Sequence, residues 1–259
     1  MLAAGLTVGA LAILGIVGYM SGGGVAGAAY YYYYTGPGPP ANLTLTPPTA
    51  TNPVGTTHTV TATVTDSSAT LLPDIVVRFT VTGSVSTTGQ CTTNASGQCT
   101  FTYSGPVLPG ADAIAAFADS NGNTTHETDE PTATAAKTWV LPASTTGKVD
   151  GGGKILVSGS KVDFDLKAKS DEHGVKGSCE VSNKEPKRKI KCTNATVLVV
   201  SGNEATFYGD ATDDGIATTY AIHVVDNGDP GKGNDTFSIT TASGYSVSGT
   251  LTDGNIKVR

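Results

Sequence analysis

The chain has 259 residues, 22 of them acidic and 16 basic, for a net charge of −6. Charged residues make up 15% against about 25% in an average soluble domain, while glycine (33) and proline (13) are abundant. The acidic balance argues against a nucleic-acid footprint. The 38% apolar content with regular alternation excludes a wholly disordered chain, and the Thr-Val-Thr runs point away from helical bundles and coiled coils.

Residues 2–20 carry no charge; the first acid is Asp66 and the first base Arg78. As a helix, this run would be roughly 28 Å long, enough to cross a hydrocarbon core. Three readings compete. A secretory leader could be cut after the small residues Ala26-Gly27-Ala28, but Met1 to Ala4 lacks a positive start. A membrane anchor lacks the flanking Lys or Arg that orient one. The third reading is an assembly helix exposed by earlier removal of a charged leader. Its contact residues are Leu2, Gly5, Gly9, Leu11, Leu14, Ile16 and Met20, with Gly5 and Gly9 forming a small-xxx-small pair that lets backbones approach.

Three glycines, Gly22 to Gly24, disfavour a free helix by about 1 kcal/mol each. Tyr30, Tyr31, Tyr32, Tyr33 and Tyr34 would point all round a helix and so form an intersubunit or membrane-interface belt. Residues 35–40, Thr-Gly-Pro-Gly-Pro-Pro, are a linker. The layout of residues 1–34 resembles the type IV pilin class. Gly5 stands where bacterial members usually carry a glutamate, which fits the archaeal style. The resemblance implies a homopolymer of identical copies, membrane-held before assembly, with helices inside the filament and β domains outside.

Residues 41–141 read as short strands between Pro and Gly clusters. In His58 to Thr65, Val60, Ala62 and Val64 alternate with threonines; in Ile75 to Val81 alternate positions are apolar. Further strands are expected at 42–46, 98–103, 111–118 and 132–140, which together predict an immunoglobulin-like sandwich. The run Ala50 to Asp66, with Pro73 to Gly83 and Thr92 to Gly97, resembles the bacterial Ig-like domains of invasin and intimin type. That resemblance implies a surface spacer or adhesive module and no catalytic residue.

Residues 142–259 are expected to form a second all-β domain, a sandwich or small barrel, with strands at 162–168, 196–200, 205–208, 218–225, 236–240 and 245–251. Residues 1–143 hold two bases and seven acids; the remainder hold fourteen and fifteen. Neither half has a strong field. Gly151 to Ile155, Val225 to Gly233 and Gly249 to Ile256 resemble a C-terminal β module of secreted prokaryotic proteins, which implies location and not mechanism. The fold class expected is thus mainly β: an N-terminal hydrophobic helix followed by two β-sandwich domains.

Cys91 and Cys99 are spaced for a hairpin staple, and Cys179 and Cys192 bracket a basic loop at Lys184 to Lys191. In a secreted setting both pairs are expected as disulfides. Asn42, Asn94, Asn123, Asn194 and Asn234 lie in sequons and are glycosylation candidates. Asp226, Asp229 and Asp235 offer oxygen ligands for calcium, against the plainer reading of a polar loop. No Gly-x-Ser-x-Gly, HExxH or P-loop occurs, so neither catalytic residues nor a cofactor are expected. The function expected is a structural subunit of an extracellular pilus-like filament whose outer β domains meet glycans or host surfaces. The alternatives are a membrane-anchored Ig-like adhesin and a secreted carbohydrate-binding protein.

Overall fold

The computed structural model describes residues 36–259. Among them 64% lie in strands and none in a helix. The hydrophobic helix and tyrosine belt expected at 1–34 lie outside the described residues.

The first unit holds eight strands: β1 (Asn42–Thr46), β2 (Thr49–Pro53), β3 (Thr57–Thr65), β4 (Val76–Gly83), β5 (Thr87–Thr92), β6 (Gln98–Ser104), β7 (Gly110–Asp119) and β8 (Thr132–Val140). They form two sheets, β1-β3-β6 and β2-β8-β7-β4-β5. Pro47-Pro48 breaks the first extended segment, so β1 pairs antiparallel with β3 while β2 runs parallel to β8 in the other sheet. One core joins the sheets: Val60 and Val64 of β3 meet Val77 and Phe79 of β4, Ile114 of β7 and Trp139 of β8. The period-two alternation of β3 places its threonines outward and its aliphatics in this core. Phe101 stacks on Phe79 at 4.8 Å between ring centroids. Gly89 makes room for it, since a Cβ there would fall 2.2 Å from the Phe101 ring.

The second unit continues with β9 (Gly147–Val157), β10 (Ser160–Asp171), β11 (Gly174–Lys184), β12 (Lys187–Cys192), β13 (Val197–Ser201), β14 (Glu204–Asp213), β15 (Ile216–Val225), β16 (Thr236–Thr241) and β17 (Ser246–Val258). Here the expected fold class is corrected. In place of a second sandwich, the antiparallel meander closes into an eight-stranded barrel, β9-β10-β11-β12-β14-β15-β16-β17. Two features close it. The 13-residue β17 passes a register shift between Leu251 and Asp253 and then pairs with the start of β9. On the far side β14 divides its free edge, with Glu204 to Tyr208 pairing β13 and Ala211 to Asp213 pairing β12.

Eight strands enclose a space that side chains can fill. Phe164 and Phe237 stack across the interior, 4.0 Å between centroids and 6° from parallel. Their register partners are glycines, Gly153 opposite Phe164 and Gly249 opposite Phe237, which leave the volume for the rings. The Gly151 to Gly153 run lies within strand β9. The expected basic loop is also corrected: Lys184 and Lys187 end a tight β11–β12 hairpin.

The segment between the units is tied down. Thr145 donates its N–H to the Leu198 carbonyl at 2.9 Å and accepts from Val200 N–H at 2.6 Å. Tyr208 and Ala221, outward on the barrel wall, are buried with Leu141 and Val197 against the core of the first unit.

Candidate functional site

The residues with chemical potential gather in three clusters, the first inside the first unit. Asp112 and Lys137 are register partners on β7 and β8, and they are 4% and 1% exposed. Asp112 accepts from Trp139 Nε1 at 2.6 Å, Tyr103 Oη at 3.1 Å and the Val85 N–H at 2.8 Å. The Lys137 ammonium lies over the Trp139 ring, 4.4 Å from its centroid, and donates to the Thr138 carbonyl. Burial lowers the Lys137 pKa, although the charge of Asp112 opposes this. His58 of β3 meets Tyr103 edge-on at 5.8 Å, and its buried Nε2 has no hydrogen-bond partner among the described residues.

Burial, reinforced by the Lys137 charge, holds the His58 pKa below 6.5, with Asp112 pulling the other way. The unfolded chain therefore binds this proton first as the pH falls, so the His58 contribution to stability is lost below about pH 7. A His58→Phe variant keeps the edge-on contact and removes the titration. Its unfolding midpoint, read by Trp139 fluorescence, is expected to fall less between pH 7 and pH 5 than that of the unaltered chain. An unchanged pH slope would contradict this assignment.

The second cluster lies at one end of the barrel interior. Arg188 and Asp213 pair through both guanidinium branches, Ser243 Oγ donates to the same carboxylate, and Arg188 lies 5.1 Å from the Tyr245 ring centroid. The Arg188 hydrogen bond holds the Asp213 pKa low against burial. The buried Tyr245 hydroxyl has no hydrogen-bond partner among the described residues.

The third cluster is the 226–235 loop, the calcium candidate. Asp235 is fully buried and accepts the N–H of Asn227 and of Ile256, each at 2.8 Å. Asp226 accepts from Val258 N–H at 3.0 Å, and Asp229 from Asn255 Nδ2 and Lys257 Nζ. Gly231 is required here, because a Cβ would stand 1.9 Å from the Asp235 carboxylate. The three carboxylates are thus faced by N–H dipoles and an ammonium, which supply the positive charge a cation would. Among the described residues no group of three or more His, Cys, Asp or Glu is placed to hold a metal. Thermal unfolding in excess EDTA and in excess calcium is expected to give the same midpoint; a rise of several degrees with calcium would restore the metal reading.

Both expected disulfides form. Cys91–Cys99 joins β5 to β6 and so bridges the edges of the two sheets, more than a hairpin staple does. Cys179–Cys192 crosses from β11 to β12 inside the barrel. All five sequon asparagines are exposed. Asn42, Asn123 and Asn234 donate their side-chain amides to Asp66 O, Glu127 and Pro230 O respectively. Asn94 instead uses its side-chain oxygen to accept the Ser96 N–H in the β5–β6 turn. The assembly residues Leu2 to Met20 and the tyrosines Tyr30 to Tyr34 lie outside the described residues.

Sequence reasoning missed the Asp112–Lys137 cluster. The signal was present: an acid and a lysine at apolar-face positions of β7 and β8, in phase with Ile114 and Trp139. No protein-family model and no curated protein matches the chain.

Proposed function

We propose that the chain is a structural subunit of an extracellular, pilus-like filament. The observation that carries this reading is the succession along the chain: a charge-free run at 2–20, a Pro/Gly linker, then two β units each closed by a disulfide. Apolar helices would drive assembly, and the β units would form the outer surface and meet glycans or host surfaces. Ion pairs, hydrogen bonds and glycine cradles in the three clusters act within the protein, as expected for a load-carrying exterior.

The test is Leu11→Asp. A charge at the centre of an apolar helix costs roughly 2.5–3.5 kcal/mol per copy. The expected result is loss of filaments in electron micrographs while the protein is still made. Normal filaments from this variant would contradict the proposal. Protein confined to membranes in the unaltered strain would favour the anchored adhesin.

A further inference from the structure

Lys137 is an unusual lysine, because it is 1% exposed and has almost nothing to bond to. An ammonium carries three donors. Among the described residues this one finds a single acceptor, the Thr138 carbonyl at 3.3 Å, and no carboxylate oxygen within 4.0 Å. A charge so poorly matched is costly in a dry core, and burial holds the Lys137 pKa low. The neutral amine is a nucleophile. The carboxyl group beside it is set up as its electrophile. Asp112 and Lys137 face each other directly across β7 and β8. Such partners have Cβ atoms about 4.5–5.5 Å apart, within the reach of a lysine chain. Both ends also meet on one indole: the amine lies over the Trp139 ring, and Trp139 Nε1 donates to Asp112 Oδ2. Tyr103 Oη donates to the same Oδ2, while Oδ1 accepts only the Val85 N–H. Burial and the Asp112 charge keep the Tyr103 phenol protonated, so it remains a donor. Two donors on one carboxyl oxygen are what a developing oxyanion requires.

We infer that Asp112 and Lys137 join in a side-chain amide after the first unit folds. A proton passes from the ammonium to Oδ1, which leaves a neutral amine beside a carboxylic acid. The Nζ lone pair then attacks Cγ, and negative charge develops on Oδ2 under Trp139 and Tyr103. A second Nζ proton moves to Oδ1, the Cγ–Oδ1 bond breaks, and one water departs. Nothing is oxidised or reduced. The amide oxygen stays at Oδ2 with its two donors, and a single N–H replaces the ammonium. In bulk water the separate ions are favoured. Here the strands hold the two groups together, and the dry core penalises both charges. The bond ties β7 to β8, the strand that leads into the barrel. It does not depend on whether the chain assembles into filaments.

The test is mass spectrometry of the full-length chain from producing cells, reduced and alkylated, first intact and then cut with trypsin and a glutamate-specific protease. Between Arg78 and Lys148 the only cut sites are Glu127 and Lys137, because Pro131 blocks the bond after Glu130. An unlinked chain releases 79–127, 128–137 and 138–148 as separate peptides. The linked chain is expected to be lighter by one water and to give 79–127 joined to 128–148, since trypsin does not cut after an acylated lysine. Lys137→Arg keeps the charge but cannot form this bond, and is expected to regain the water and release 79–127 alone. An unaltered chain of full mass that yields free 128–137 would overturn the inference. So would a missing water with free 128–137, which places the dehydration elsewhere, or a missing water that persists in Lys137→Arg.

Discussion

Asp112→Ala is expected to destabilise the first β unit by about 3–5 kcal/mol, since each buried donor left without its acceptor costs about 1–3 kcal/mol. Three donors, from Trp139, Tyr103 and Val85, would lose their acceptor in a dry core, and Lys137 would keep no countercharge. Lys137→Met leaves the Asp112 carboxylate buried without its nearby positive charge, so it is also expected to destabilise, though by less than Asp112→Ala because the three donors to Asp112 remain. The sole tryptophan, Trp139, sits in the cluster, so denaturant unfolding followed by its fluorescence reports on this unit. Loss of less than 1 kcal/mol in the alanine variant would show that Asp112 is not the hub of the core. The double variant measures the coupling directly, because residues in one network do not add.

Phe237→Ala is expected to cost the barrel about 3–5 kcal/mol. The ring is 1% exposed and stacked on Phe164 in the middle of the interior, so its loss leaves a cavity lined by a second large ring and two glycines. The neighbouring backbone cannot collapse into it, because closed strands are held on both sides. Calorimetry separates the two units: the barrel transition should drop and the Trp139 transition should stay. A shift in both would show that the barrel and first unit unfold as one, through the Tyr208 and Ala221 contact.

Legibility in the sequence followed burial pattern. Strands with one wet face and one dry face were readable, and β1, β3 and β8 lie close to where alternation places them. The strands that were missed lack that contrast. In β5, Thr87 to Thr92, only half-buried and exposed positions alternate, with no aliphatic residue to mark the inner face. In β9 three consecutive glycines imitate a turn, yet they are strand because Phe164 and Leu166 need the space opposite. In β12 lysines at 187, 189 and 191 outweigh Ile190 and Cys192, so a barrel strand looked like a solvated loop. A small barrel was one of the two forms expected for residues 142–259, but the choice between them was not legible, because closure depends on β17 pairing with β9 about a hundred residues away. The disulfide pairing was legible from spacing, but not that Cys91–Cys99 would bridge two sheets, since the sheet change occurs between β5 and β6. The surroundings of the 226–235 carboxylates were not legible, because composition reveals carboxylates and not the N–H groups aimed at them.

The most direct test of the filament account is electron microscopy of material sheared from producing cells, with mass spectrometry of the purified fraction. The account predicts filaments whose peptides include residues 2–34 together with both β units. A soluble product that begins near Ala29, with no filaments in the sheared material, would contradict it.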